Sequence, residues 1–112
     1  MQVSTRTQPL QRATVEALAE TFRVLGDPTR VRIVDALAGG PLCVHEISEH
    51  IDLSESAVSH QLRLMRTMRI VKGRREGRCV YYALDDQHVI DLFQLGLRHV
   101  SEGHGPGTGS RG

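Results

Sequence analysis

The chain has 112 residues, 39% of them hydrophobic, with two Phe, two Tyr and no Trp, and its 14 Lys/Arg against 13 Asp/Glu leave a formal charge of +1. This length suits a single globular domain at roughly 100–200 residues per domain, and no apolar stretch approaches the roughly 20 residues that cross a bilayer. Cys43 and Cys79 are too few for a disulfide scaffold, and no basic region followed by an apolar run opens the chain, so secretion, membrane spanning and multidomain catalysis are excluded and a reducing, cytoplasmic setting is expected.

Residues 1–9 are polar, end in Pro9 and read as a flexible N-terminal arm ahead of one folded unit over residues 10–102. Val15, Leu18, Phe22 and Leu25 recur at helical spacing from Leu10 to Leu25, and Gly26 ends that helix. Asp27 is placed to cap a second helix whose first position is Pro28; Val31, Val34 and Leu37 form its apolar face, and Gly39-Gly40-Pro41 stops it. A short third helix is expected over Leu42–Ile51, with Val44, Ile47 and Ile51 facing inward. After the tight connection Asp52-Leu53, Ser54 caps a fourth helix from Glu55 to about Met68. Its stripe of Val58, Leu62 and Met65 lies opposite Ser56, Ser59, His60, Arg63 and Thr67. Two β-prone runs, Ile70–Arg74 and Arg78–Leu84, flank a Glu76-Gly77 turn and predict a hairpin. Asp85-Asp86 caps a fifth helix to about Glu102, and the Gly-rich residues 103–112 read as a disordered tail. The fold class is α+β, mainly α, in the order ααααββα: a winged helix-turn-helix of five helices with a two-stranded β-hairpin wing.

The near-neutral total hides a strong asymmetry. Residues 54–78 carry Arg63, Arg66, Arg69, Lys72, Arg74, Arg75 and Arg78 against Glu55 and Glu76, net +5. Residues 85–102 carry Arg98 against Asp85, Asp86, Asp91 and Glu102, net −3. The basic segment coincides with the fourth helix and the hairpin, which suits a DNA duplex. Ser56, Ser59, His60 and Gln61 are short or planar hydrogen-bonding groups suited to base edges and phosphates in the major groove, and Arg63 extends that face. Arg74, Arg75 and Arg78 on the wing can reach adjacent phosphates. The same residues, taken without their order and charge, also suit an ordinary solvated helix and turn.

The runs Leu42-Cys43-Val44-His45-Glu46-Ile47, Leu53 to Arg63, and Gly77-Arg78-Cys79-Val80-Tyr81-Tyr82-Ala83-Leu84 closely resemble the ArsR/SmtB family of metal-sensing repressors, from about Phe22 to Glu102. The resemblance implies a homodimeric winged-helix repressor that leaves operator DNA when metal binds, with Ser56, Ser59, His60 and Gln61 at DNA-contacting positions. For such a dimer, Val15, Leu18 and Phe22 on the first helix and Leu92, Leu95 and Gly96 on the last are the expected interface.

Asp86 and His88 open the last helix; His99 and Glu102 close it. His88 and His99 lie about three turns and about 16 Å apart, on one face but too far apart to share an ion. Within one chain the four groups cannot converge, whereas an antiparallel partner helix would set its His99 and Glu102 opposite Asp86 and His88. On spacing alone, both histidines also suit a surface or interface role, with Asp86 a simple cap. The resemblance favours the metal, because SmtB-like zinc sensors carry this Asp-x-His…His-x-x-Glu pattern on their last helix. Two imidazoles and two carboxylates suit tetrahedral Zn(II), at two sites per dimer. Co(II) or Ni(II), with His104 as an added ligand, is the nearest alternative, and a thiol-redox sensor using Cys43 and Cys79 is the other. Cys43 is expected as a small buried hydrophobe, and His45 and His50 as solvated side chains. No His-Glu-x-x-His pattern occurs, so a zinc hydrolase is not expected and neither is a small-molecule substrate.

Overall fold

Among the described residues, three of the five α-helices begin where a side chain accepts one of their first free amide protons. The structure, a computed structural model, describes residues 8–104; residues 1–7 of the arm expected over 1–9 and residues 105–112 of the tail expected over 103–112 lie outside the described residues, as does the side chain of His104. The order is α1 (Arg12–Leu25), α2 (Pro28–Leu37), β1 (Leu42–Cys43), α3 (Val44–Ile51), α4 (Glu55–Thr67), β2 (Val71–Glu76), β3 (Cys79–Leu84) and α5 (Gln87–His99), followed by a π-helical turn over Val100–His104. Asp27 accepts from the Arg30 amide at 3.2 Å, Ser54 from Ala57 at 3.0 Å and Asp86 from Val89 at 3.1 Å, which fixes the starts of α2, α4 and α5 as the sequence predicts. At α1 no side chain caps Gln11, and the helix starts two residues later than its apolar spacing suggests.

The wing has a third strand that the sequence does not announce. The order is β1-β3-β2, all antiparallel, with Leu42 opposite Tyr82 and Cys43 opposite Tyr81. Two residues are too few to show a period, and they extend only because β3 would otherwise present unpaired backbone groups along its outer edge. The hairpin between β2 and β3 is longer than expected: pairing runs from Val71–Leu84 out to Glu76–Cys79, so the loop is Gly77-Arg78. Gly77 has φ 65°, a conformation that a two-residue hairpin loop needs and glycine adopts without strain.

The core gathers residues from every layer except α5. Val24, Ile33, Ile47, Val58, Leu62, Met65, Ile70 and Val71 are sealed from solvent. No α5 side chain is fully buried; Val89, Ile90 and Phe93 only lean against the core. Among the described residues no helix is long and apolar enough to cross a membrane.

The end of α4 is closed by two reverse bonds, Ile70 N–H to Met65 C=O at 2.9 Å and Arg69 N–H to Arg66 C=O at 3.0 Å. This motif requires a left-handed residue between them, and Arg69 takes it at φ 61°. A left-handed conformation costs a side-chain-bearing residue about 1–2 kcal/mol, partly offset here because glycine loses more chain entropy on folding. Arg69→Gly is therefore expected to stabilise the fold by about 0.5–1 kcal/mol, read as a raised urea midpoint at unchanged slope. An unchanged or lowered midpoint would mean that the left-handed arginine carries no strain.

Candidate nucleic-acid interface and metal centre

The turn between α3 and α4 is held by its own backbone. Asp52 sits at φ 57°, Leu53 N–H bonds to Ser48 C=O at 3.2 Å, and the Ser48 hydroxyl donates back to Leu53 C=O. The turn delivers α4 with Val58, Leu62 and Met65 inward. Ser56, His60 and Arg63 then stand on the outer face, exposed, with Ser59 half-buried beside them. Gln61 is different: it is half-buried at the edge of the helix, and its Oε1 accepts from Arg30 Nε at 2.9 Å.

On the wing, Arg74 pairs with Glu76 at 2.6 Å, while Arg75 and Arg78 are exposed. A Cβ at Gly73 would come within 3.1 Å of the Tyr82 ring and 3.2 Å of Val80, so a side chain there would push those two neighbours aside by a few tenths of an ångström.

His45 is exposed but is not merely solvated. Its Nδ1 lies 2.9 Å from Glu55 at the start of α4, and its Nε2 lies 3.4 Å from Glu49. The hydrogen bond that His45 donates to Glu55, helped by the charge of Glu49, holds its pKa above the ordinary value near 6.5. This link across the helix-turn-helix joins residues ten apart in sequence, and only the turn geometry brings them together. Cys43 also departs from expectation: it is half-buried at the start of α3, where Glu46 accepts from its amide at 3.0 Å. It stands opposite Tyr81, two residues from the exposed Cys79, and both thiols are free.

The expected metal ligands divide between the two ends of α5. Asp86 uses one carboxylate oxygen for the helix cap, and the other lies 3.7 Å from His88 Nδ1. The cap bond from Val89, together with the nearby His88 ring, holds the Asp86 carboxyl below its usual pKa. The His88 side chain is 95% exposed, so its imidazole stands clear of the protein surface. His99 and Glu102 are exposed at the far end, where the π-helical turn replaces the α-helix expected through Glu102. Gly103, Gly105 and Pro106 follow closely in sequence and cannot sustain a regular helix. Among the described residues no three His, Cys, Asp or Glu side chains come together around a common point. One chain therefore carries one imidazole and one carboxylate at each end of α5, Asp86 with His88 and His99 with Glu102.

Between α1, α2 and α5 runs an apolar groove of about 410 Å³, lined among others by Phe22, Val31, Leu92, Gly96 and Leu97. Phe22 is 55% exposed and Leu95 58%, and Val15, Leu18 and Leu92 are exposed alongside them. A Cβ added at Gly96 would meet nothing within 4 Å.

Residues 27–72, which hold the helix-turn-helix, match the family model described as bacterial regulatory protein, arsR family. The chain is 48% identical over 87 residues to a transcriptional repressor SmtB homolog of Synechocystis sp., spanning 78% of this chain and 66% of that protein. It is 42% identical over 86 residues to a cadmium resistance transcriptional regulatory protein CadC homolog of Staphylococcus aureus, spanning 76% of this chain and 71% of that one. The chain belongs to the ArsR/SmtB family of metal-sensing transcriptional repressors. Its fold overlays the solution structure of apo-NmtR with a TM-score of 0.74 at 36% identity, over 89% of this chain and 84% of that one.

In this ArsR/SmtB chain the His45–Glu55 pair gives the helix-turn-helix a pH dependence of defined sign. Because the folded pKa of His45 is raised, the pair contributes fully below the ordinary imidazole value near 6.5 and is lost as pH rises through the folded value. The stability difference between wild type and His45→Gln should thus be largest below about pH 6.5 and decline above it, as read by urea midpoints across pH. A difference that stays constant with pH would contradict the pairing.

Proposed function

We propose that this repressor binds operator DNA as a metal-free homodimer and releases it when Zn(II) occupies two symmetric sites. Each site takes Asp86 and His88 from one protomer with His99 and Glu102 of the partner subunit. The observation that carries this reading is the division of the donor groups between the two ends of a helix that buries none of its own side chains. An antiparallel second copy, packed along the exposed Leu92, Leu95 and Gly96 and against Val15, Leu18 and Phe22, would complete both sites and cover the apolar groove. When bound, the metal supplies a cross-link between the two α5 helices.

The chain's own residues link that end of α5 to the reading helix. Asp85 N–H bonds to Ile70 C=O at 2.9 Å, and Ile70 is the residue that closes the end of α4. Asp86 and His88 therefore lie one to three residues from a backbone bond to the recognition helix. Drawing them toward a partner alters the spacing of the two α4 helices without covering the DNA-facing residues. His99 lies near the other end of the same seam, and a ring N–H donated toward the backbone around Arg69 would add a second tie. Ser56, Ser59, His60 and Arg63 face the major groove, and Arg74, Arg75 and Arg78 face phosphates, so affinity falls with salt.

Shifting an operator from about 99% to 1% occupancy needs about 5.5 kcal/mol of differential binding, whereas one effector supplies about 1–3 kcal/mol. Two ions per dimer acting together meet most of that requirement. Four nitrogen and oxygen donors favour tetrahedral zinc; Co(II) or Ni(II) would call for further ligands, for which His104 is the nearest residue in sequence. The free thiols of Cys43 and Cys79 favour a redox response only if they prove necessary.

Titration of zinc against the purified dimer, with operator release followed by fluorescence anisotropy, tests the reading. Wild type should bind two ions per dimer and lose affinity for DNA by about 100-fold. His88→Ala should bind operator normally, take up no zinc at these sites and show no release. The double variant Cys43→Ser, Cys79→Ser should respond as wild type does. Unchanged release in His88→Ala would remove α5 from the mechanism, and loss of response in the double cysteine variant would transfer it to the thiols.

A further inference from the structure

We infer that Gln61 is a positioning residue and not a reader of the operator: with Arg30 it locks the recognition helix onto α2 and the end of α1. This rests on the DNA-binding reading above and narrows it.

Gln61 lies about 140° around α4 from Ser56 but only about 60° from the sealed Val58, so it points along the seam with α2 and away from the outward face. Its amide oxygen is already occupied, accepting from Arg30 Nε at 2.9 Å. A glutamine that reads adenine must present both its oxygen and its nitrogen to one base edge, whereas this amide is turned toward the Arg30 guanidinium on α2.

Arg30 is built to hold it. The Arg30 backbone is fixed in the first turn of α2 by Asp27, which accepts from its amide at 3.2 Å. Its side chain reaches in two directions at once, from Nε to Gln61 on α4 and from Nη1 to Val24 C=O on α1 at 3.3 Å. Val24 is sealed in the core, and Phe22, two residues earlier, lines the apolar groove. One planar guanidinium therefore spans the groove-bearing helix and the reading helix, a geometry that a lysine's single point charge does not reproduce. The apolar stripe of α4 sets its depth and rotation, but apolar contacts are non-directional and leave sliding along the axis weakly specified. A directional bond at mid-helix supplies the missing restraint.

The test uses the full-length chain without metal and a duplex selected from a random-sequence pool by the wild-type protein. Gln61→Glu preserves the acceptor for Arg30 while presenting a negative charge, and it should bind that duplex within about threefold of wild type. Gln61→Met and Arg30→Met each remove the bond and should each weaken binding by about tenfold, with the double variant no weaker than either single one. If Gln61→Glu loses as much as Gln61→Met, the side chain touches DNA and the inference fails. If the two losses add in the double variant, Arg30 and Gln61 act separately and it fails equally. A wild-type chain that selects no duplex would instead refute the DNA-binding reading on which the inference stands.

Discussion

The burial of Val58, Leu62 and Met65 is the constraint on which the rest of the structure depends. These three side chains leave α4 no freedom to rotate, because they are sealed in the core where α4 packs against α3 and β2. Burying side chains of this size stabilises by about 1.5–3 kcal/mol each, against about 0–1 kcal/mol for an exposed ion pair. The polar face of α4 is outward because the apolar face must be inward. Ser54 and the left-handed Arg69 set where the helix starts and stops, and the bond from Arg30 to Gln61 adds a directional tie to α2.

α5 is governed by the opposite condition. It contributes no sealed side chain, leaves Leu92, Leu95, Leu97 and Val100 exposed, and is tied at its start through Asp85 to the end of α4. A helix that leans on the core only through Val89, Ile90 and Phe93, with its other apolar side chains uncovered, can respond to whatever packs against it. In the proposed function, the acidic and imidazole groups at its two ends are the chemical trigger of that response. The rigid element and the responsive element are thus separated in the chain by the β2–β3 hairpin and joined by the backbone hydrogen bond from Asp85 to Ile70.

What could be read from the sequence was local. The caps at Asp27, Ser54 and Asp86 and the stripe on α4 follow from spacing over three or four residues, and all of them stand in the structure. The features not legible there join residues far apart in the chain or need a backbone conformation that residue type does not signal. β1 is two residues long and exists only because β3 needed an edge partner. Arg69 adopts a conformation usually left to glycine, and the π-helical turn replaces an α-helical end that Glu102 alone would suggest. Gln61 carries the same residue type as a base reader, and only the contact with Arg30, 31 positions earlier, distinguishes it from one. The candidate metal groups were legible as a pattern, and so was their separation within one chain, because helical rise alone puts His88 and His99 about 16 Å apart.

The most direct measurement is zinc stoichiometry in a dimer assembled from two different protomers, one carrying Asp86→Ala with His88→Ala and the other His99→Ala with Glu102→Ala. Sites that span the dimer leave each variant homodimer with two half-sites and no bound zinc, while the mixed dimer regains one complete site and binds a single ion. A mixed dimer that binds no zinc, or a homodimer of either variant that still binds it, would contradict ligation across the paired α5 helices.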